Sequence, residues 1–185
     1  MLRRGIGAAL AMALLVLGLS ACIPQTPVTR TVTFSVTTDG TVTGDVNELA
    51  RIASSVFSSP RGWRSAGIAF VQVATGGDFT LVLANPSRLP SYDPVCTIYY
   101  SCTVGRYVVI NDYRFQYGSS AWPGPLDWYR IMVINHETGH WLGLGHTYCA
   151  GPGALAPVMQ QQSIDMQGCE INPWPLPNEV DAVRS

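Results

Sequence analysis

The spacing of apolar residues in the first third of the chain predicts one strand followed by one helix. Apolar and polar residues alternate over Thr31–Val36, which is typical of a half-buried strand. Apolar residues then recur every three or four positions over Val46–Ser58, which indicates a helix that Pro60 brings to an end. Asp45 and Glu48 have the spacing of a capping box, so we expect Asp45 to be the N-cap and Glu48 to reach back to it.

The central part of the chain contains further segments with the composition of strands. Ile68–Val73 and Phe79–Ala84 are apolar and rich in β-forming residues, and Thr75-Gly76-Gly77-Asp78 between them predicts a hairpin turn. We place an edge strand at Thr97–Ser101, and the continuous apolar run Tyr107–Ile110 predicts a buried strand. This part of the chain is therefore expected to supply most of a sheet.

The last third of the chain begins with a long helix and then loses its periodicity. Pro123-Gly124-Pro125 breaks the chain before Leu126–Leu142, which has the spacing of a helix. The residues that follow are rich in Gly, Pro and Gln, and a last short helix is expected to start at Asn178. The order of elements predicts an α+β domain with an α/β-like N-terminal part and one mixed sheet.

The first residues have the pattern of an export signal. Arg3 and Arg4 precede the apolar run Ile6–Leu19, which falls short of the roughly 20 residues of a membrane span. Leu19-Ser20-Ala21-Cys22 resembles the bacterial lipobox, which implies cleavage before Cys22 and lipidation of its sulfur. A signal that is cleaved without lipidation and a retained anchor are the alternatives.

Removal of a lipoprotein signal peptide over residues 1–21 leaves a short tether, residues 22–28, and one domain, residues 29–185. The remaining chain holds 9 basic and 12 acidic residues, a net charge of −3. That balance favours neither nucleic acid nor an anionic membrane surface as a ligand. We therefore expect no nucleic-acid partner, and contact with the outer face of the cell membrane only through the lipid. We also expect a monomer.

Five cysteines fit an exported protein, because disulfides persist in oxidising compartments. With Cys22 lipidated, four cysteines remain, and they allow three pairings. We expect Cys96 to pair with Cys102 and Cys149 with Cys169, because the members of each pair lie close in the sequence. These bridges would place the domain outside the cytoplasm.

All three histidines of the chain lie within one stretch of eleven residues. His136 and His140 are four residues apart on the predicted helix, so both can face one metal ion, and Glu137 lies near enough to reach water at that ion. Gly143 is expected to end the helix, which lets the chain return His146 to the same ion. Three neutral imidazoles suit zinc and leave its fourth position open, as in a catalytic site. The full spacing arises by chance in roughly one sequence of this composition in a million, so accident is a poor explanation.

The motif His136-Glu137-x-x-His140-x-x-Gly143-x-x-His146 resembles the long zinc signature of the metzincin metalloproteases. The resemblance implies Zn²⁺ as cofactor, the three histidines as its ligands and Glu137 as general base on a zinc-bound water. It also implies a methionine-containing turn below the metal, for which Met159 in Ala156-Pro157-Val158-Met159 is the candidate. Some metzincins carry a tyrosine two residues after that methionine, where Gln161 stands here. The implied fold is a metzincin-like mixed sheet with two long helices, the second carrying the motif, and a small irregular C-terminal part.

A wider resemblance covers nearly all of the expected mature chain. It rests on the cysteine-rich loop, Val-Ile-Asn, Asn-His-Glu-x-Gly-His, Ala-Pro-Val-Met-Gln-Gln-Gln and Asn-Pro-Trp-Pro. These segments resemble a bacterial family of exported domains of unknown function with the same histidine motif. That resemblance implies the fold and the metal, and it implies no particular substrate.

The expected activity is zinc-dependent hydrolysis of peptide bonds in a protein or peptide substrate. The substrate is expected to lie antiparallel along the edge strand Thr97–Ser101. Candidate subsite residues, each with core packing as the alternative, are Tyr99, Tyr100, Trp122, Trp128 and Trp141. Two other functions remain open: a zinc-containing binding module of the cell envelope without catalysis, and hydrolysis of amides in cell-wall peptides.

Overall fold

One five-stranded sheet organises the structure, a computed structural model that describes residues 26–184. The strands are β1 (Arg30–Asp39), β2 (Ile68–Gln72), β3 (Phe79–Ala84), β4 (Cys102–Val104) and β5 (Tyr107–Asn111). The helices are α1 (Val46–Ser58), α2 (Asp112–Tyr117), α3 (Leu126–Trp141) and α4 (Pro177–Val183). The strand order is β2-β1-β3-β5-β4; β4 runs antiparallel to β5, and the other neighbouring strands are parallel. This mixed sheet with two long helices, α1 and α3, confirms the predicted α+β class.

Alternation along the strands separates two apolar layers, one on each face of the sheet. Every second strand residue packs in one core with α1 and α3: Val32, Phe34, Phe79, Leu81, Leu83, Val108 and Ile110. The residues between them, such as Val82 and Val109, pack on the other face with Leu89 and Cys96. Strand β3 is buried on both faces, which explains its unbroken apolar sequence.

The predicted hairpin between Ile68–Val73 and Phe79–Ala84 is wrong, because β2 and β3 are both parallel to β1 and lie on either side of it. One residue of β1 pairs with both strands. Phe34 pairs with Gln72 at the end of β2 and with Phe79 at the start of β3. The chain therefore crosses β1 without reversing its direction.

The glycines between β2 and β3 permit this close crossing. A Cβ added to Gly77 would lie 3.0 Å from the carbonyl oxygen of Thr33 on β1. The Asp78 carboxylate accepts hydrogen bonds from the Thr33 backbone N–H at 2.7 Å and from its hydroxyl at 2.9 Å. These hydrogen bonds hold the pKa of Asp78 below its usual value, with the backbone donor as the larger cause. A tight crossing and a hairpin turn thus share one sequence signature.

The two edge strands of the sheet are β2 and β4, and neither contains residues 97–101, so the prediction of an edge strand at Thr97–Ser101 is wrong. Residues 97–101 lie inside the loop closed by the Cys96–Cys102 disulfide, whose Cα atoms are 5.8 Å apart. A loop with its ends held so close must turn back on itself, which prevents an extended strand. In β4, Thr103 stands opposite Val108, and opposite residues of an antiparallel pair share a face of the sheet. Thr103 therefore lies on the face that carries the long helices.

An ion pair joins helices α1 and α3, and one of its members is a residue that was predicted to form the capping box. Asp45 is the N-cap of α1 as predicted, since its side chain accepts from the Asn47 N–H at 2.8 Å. Glu48, however, does not reach back. Its carboxylate lies 3.0 Å from Arg130 on α3, because that cation offers it a charged partner across the helix pair.

The chain after α3 passes through an irregular segment, residues 142–176, before α4 begins at Pro177, one residue before the predicted start. Within this segment Cys149 pairs with Cys169, and their Cα atoms are 6.3 Å apart. Both predicted disulfides are confirmed, and they indicate a location outside the cytoplasm. None of the helices within residues 26–184 has the length and hydrophobicity needed to cross a membrane.

Candidate metal centre

Helix α3 and the turn that follows it bring the three histidines together. Gly143, just after the helix, has a φ of 97°, in the left-handed region that other residues rarely adopt. Its N–H donates to the carbonyl of His140 at 3.0 Å, and the N–H of Leu144 donates to the carbonyl of Gly139 at 3.0 Å. This is the Schellman pattern of hydrogen bonds. The turn directs the chain back, so that His146 reaches the histidines on the helix.

The Nε2 atoms of the three histidines converge on one point. His140 Nε2 lies 3.1 Å from His136 Nε2 and 3.1 Å from His146 Nε2. The Nδ1 atoms of the two helical histidines face backbone carbonyl oxygens, His136 that of Val158 at 2.8 Å and His140 that of Leu144 at 2.8 Å. A neutral imidazole has one N–H, so donation from Nδ1 leaves a lone pair on each of these two Nε2 atoms. Lone pairs that face each other at this distance repel unless a cation lies between them.

The protonation and spacing of these nitrogens fit a metal ion. Burial, reinforced by the neighbouring His140, lowers the pKa of His136 to about 3, and burial also lowers the pKa values of His140 and His146. All three rings are therefore neutral near pH 7, which is the form that ligates metals. Nitrogens bound to a tetrahedral zinc ion at 2.0–2.1 Å lie about 3.3 Å from one another, close to the separations here. The cluster can hold a metal ion through three ligands.

Met159 lies beneath the helix that carries the histidines, and its side chain is fully buried. A Cβ at Gly139 of α3 would overlap the Met159 sulfur and would lie 3.0 Å from the Trp63 ring. The glycine inside the motif therefore gives the methionine its space. The preceding residue, Val158, supplies the carbonyl oxygen that orients His136. The turn that contains Met159 thus supports the histidine cluster through both packing and backbone.

Glu179 on α4 holds this turn in place, and sequence reasoning missed it. Its buried carboxylate accepts hydrogen bonds from three backbone N–H groups: Met159 at 2.8 Å, Val158 at 3.0 Å and Leu176 at 2.7 Å. A glutamate in the first turn of a short helix predicts the capping contact with Leu176, but it does not predict the contacts with Val158 and Met159, which are distant in the sequence. The partner of its carboxylate is set by tertiary structure.

Glu137 lies beside the histidines with its side chain almost fully buried, at 4% exposure. The hydroxyl of Thr103 on β4 lies 2.9 Å from both Glu137 Oε2 and the Glu137 backbone carbonyl oxygen, and these two acceptors share its one proton. Burial raises the pKa of Glu137 to about 8, and the hydrogen bond from Thr103 opposes that rise. Thr103 was also missed, because its contact depends on the strand register.

Glu137 and the histidines line one cavity of about 490 Å³. Three stretches of chain form it together with His146: residues 95–103, α3 and residues 161–164. Of the five aromatic residues proposed for subsites, only Tyr100 is among the described residues that line this cavity. Trp122 and Trp141 pack in the core, and Tyr99 and Trp128 are exposed elsewhere.

Of two further predicted positions, Gln161 and Cys22, only Gln161 lies within the described residues. Gln161, two residues after Met159, lines the cavity, so an amide occupies the position where some metzincins carry a phenol. Cys22, predicted to be lipidated, lies outside the described residues.

The fold and the site together define an α+β domain with a three-histidine centre that can bind a metal ion and is stabilised by two disulfides. Residues 21–177 match the family described as "Protein of unknown function (DUF3152)", and the chain belongs to that family. A comparison with curated proteins found no match.

Proposed function

We propose that this protein is a metzincin-like zinc metalloendopeptidase that acts outside the cytoplasm. The observation that carries the proposal is the position of Glu137, a buried carboxylate that shares one cavity with three neutral histidines. A metal site with a purely structural role has no use for a carboxylate beside its ligands. A hydrolase needs one, because a base must take a proton from water.

The proposed chemistry gives each of a few side chains a distinct role. His136, His140 and His146 would hold the zinc ion, which when bound acidifies a water molecule and polarises a substrate carbonyl. Glu137 takes the proton from the attacking water and returns it to the nitrogen of the leaving amine. Thr103 keeps Glu137 Oε2 oriented through its hydroxyl, so that the other carboxylate oxygen is left for this exchange.

The sheet edge supplies a place for the substrate. Strand β4 lies at the edge of the sheet, and its residues Cys102 and Thr103 line the cavity that contains Glu137. An extended peptide can pair with such an edge through main-chain hydrogen bonds. We propose this pairing for β4 instead of the predicted Thr97–Ser101, with the peptide running past the histidine cluster.

Replacement of Glu137 tests the proposal. Glu137→Ala and Glu137→Gln keep all three imidazoles, so we expect zinc content near one ion per chain in both variants. Hydrolysis should fall by about 10² to 10⁴-fold in both, because neither side chain accepts the proton. His136→Ala should lose zinc and hydrolysis together. Elemental analysis and mass spectrometry of a digested mixture of extended peptides measure the two properties.

Glu170→Gln is the matched control, because it makes the same chemical change at an exposed carboxylate. It should retain both zinc and hydrolysis. Equal cleavage by wild type and Glu137→Ala would exclude the metzincin mechanism. Zinc binding without cleavage of any peptide or of purified cell wall would instead favour a binding module of the cell envelope.

We also propose that Cys22 anchors the protein to the outer face of the cell membrane. The support is the lipobox-like sequence Leu19-Ser20-Ala21-Cys22, which agrees with the location indicated by the disulfides. Intact-mass measurement on membrane-derived protein should find a chain that begins at Cys22 and carries acyl groups, whereas Cys22→Ser should abolish the acylation. A native chain that begins elsewhere without lipid would contradict this proposal.

A further inference from the structure

We infer that the peptide recognised by this site carries uncharged side chains on both sides of the bond next to Glu137, and that it is an extended protein segment and not an acidic cell-wall peptide. The inference rests on the proposed function, and it concerns which substrates the cavity accepts. It starts from the charges on the walls of the cavity.

Outside the metal centre, every described residue that lines the cavity is uncharged. The lining consists of aliphatic side chains, a disulfide, hydroxyl groups and two amides, in addition to the three histidines and Glu137. Examples on the two stretches that flank α3 are Thr97 and Tyr100 on one, and Gln161 and Ser163 on the other. A charged substrate side chain would therefore find no partner of opposite sign on these walls.

The charged groups next to these stretches make local contacts and do not line the cavity. The Asp93 carboxylate accepts from the Val95 N–H at 2.9 Å, and the Asp165 carboxylate accepts from the Gln167 N–H at 2.9 Å. The guanidinium of Arg114 lies 5.2 Å from the centre of the Tyr100 ring and donates to the carbonyl of Tyr99 at 2.8 Å. Arg114 thus supports the cavity wall from behind and does not line the cavity.

These walls select against charge of either sign. Burial of an unpaired ionised group costs far more than burial of a neutral one. In the proposed function Glu137 exchanges a proton beside the candidate metal site, so its carboxyl group is not available to pair with a basic side chain. Both classes of charged side chain should therefore be rejected.

Two exposed aliphatic residues indicate what the cavity accepts instead. Val95 and Ile164 line it and remain 78% and 47% exposed. An apolar side chain that covers them removes apolar surface from water, which is favourable. The hydroxyl and amide groups of Thr97 and Gln161 can bond to peptide backbone. Neutral protein segments with aliphatic residues match this surface, whereas cell-wall peptides rich in free carboxylates do not.

A library of extended peptides that varies the residues beside the cleaved bond tests the inference with zinc-loaded protein. We expect a charged residue at either adjoining position to lower kcat/KM at least about tenfold relative to Val or Leu. Purified cell-wall peptides should be cut more slowly still. Binding of labelled library peptides to the same protein is measured in parallel, so that the preference is obtained whether or not the bond is cut.

One variant and its matched control make the test specific to the cavity wall. Gln161→Glu adds a carboxylate to the lining of the cavity. The turn at residue 161 is held by the backbone carbonyl of that residue, which accepts from the Ile164 N–H at 2.9 Å, so the substitution leaves this hydrogen bond in place. This variant should improve cleavage or binding of peptides with Lys or Arg beside the bond at least about tenfold. Gln167→Glu makes the same change at an exposed position outside the lining and should leave the preference unchanged.

The outcomes separate this inference from the proposed function. Equal use of charged and neutral peptides by wild type, or an identical preference in Gln161→Glu and Gln167→Glu, would overturn the inference while leaving hydrolysis in place. Rapid cleavage of acidic cell-wall peptides would also overturn it. Preferential binding of neutral peptides without any cleavage would support the inference and refute the proposed peptidase activity.

Discussion

Removal of the Glu179 carboxylate should destabilise the fold and weaken the metal centre, although Glu179 is no part of the histidine motif. The side chain is 3% exposed and accepts from the N–H groups of Val158, Met159 and Leu176 at 2.7–3.0 Å. Ala at this position leaves two buried donors, at Val158 and Met159, and one half-buried donor, at Leu176, without a partner. An unpaired buried donor costs about 1–3 kcal/mol, so Glu179→Ala should lower the free energy of unfolding by about 4 kcal/mol.

Glu179→Gln should cost less, about 2 kcal/mol, because its amide keeps one acceptor oxygen and turns its NH₂ group towards one of the three donors. In a domain of this size, 1 kcal/mol corresponds to about 2–4 °C in melting temperature. Thermal unfolding of metal-free protein should therefore place Gln between Ala and wild type. Glu170→Ala, at an exposed carboxylate, is the control and should melt with wild type.

The same change should weaken metal binding by an indirect route. Glu179 fixes the backbone of Val158, and the Val158 carbonyl holds the Nδ1 of His136 at 2.8 Å. Loss of such outer support of a ligand typically lowers metal affinity about 10- to 100-fold. Competition with a chelator measures it. A Glu179→Ala protein that melts within about 2 °C of wild type and binds zinc equally well would refute the whole argument.

Three further predictions follow from single contacts. Thr103→Val should lower kcat about tenfold and leave zinc content and KM unchanged, because the Thr103 hydroxyl orients Glu137. Thr103→Ser keeps a hydroxyl and should have the kcat of wild type. Equal kcat values for the Val and Ser variants would exclude that role. Asp78→Asn should destabilise the protein at pH values above 3.8, the pKa of Asp78 in the unfolded chain. The difference in stability from wild type should shrink as the pH falls through the lower pKa that Asp78 has in the folded protein. Chemical denaturation between about pH 6 and pH 3 measures this difference. Gly139→Ala should lower the free energy of unfolding in urea by about 1–3 kcal/mol, because the added Cβ overlaps Met159. Gly145→Ala is the control, because a Cβ there meets nothing within 4 Å. Equal effects of the two substitutions would contradict the packing argument.

The elements with strong periodicity could be predicted from the sequence. The apolar spacing of α1 and α3 and the unbroken apolar run of β5 each marked an element that the structure contains. The three histidines could also be assigned to one site, because a helical spacing of four and a glycine-directed turn determine their geometry locally. These features depend on neighbours in the sequence.

The errors arise where the partner of a segment is distant in the sequence. Gly76-Gly77 is equally suited to a hairpin turn and to a crossing of β1, and only the pairing of Phe34 with both flanking strands distinguishes them. Glu48 has the spacing of a capping residue, but Arg130 on another helix binds it. The contact of Thr103 with Glu137 depends on the register of β4 against β5. None of these partners leaves a local pattern.

Hydrogen bonds from outside the motif help to position the histidines of the candidate metal centre. Glu179 on α4 holds the backbone at Val158, that residue orients His136, and Met159 in turn accepts from the Thr147 N–H next to His146 at 3.2 Å. Pre-oriented imidazoles cost less entropy when they bind a metal ion, so this support contributes to affinity. A chain that ends before α4 would retain every residue of the histidine motif and yet lose the carboxylate that positions its first ligand. The structural unit that positions the histidine cluster is therefore larger than the motif and includes α4.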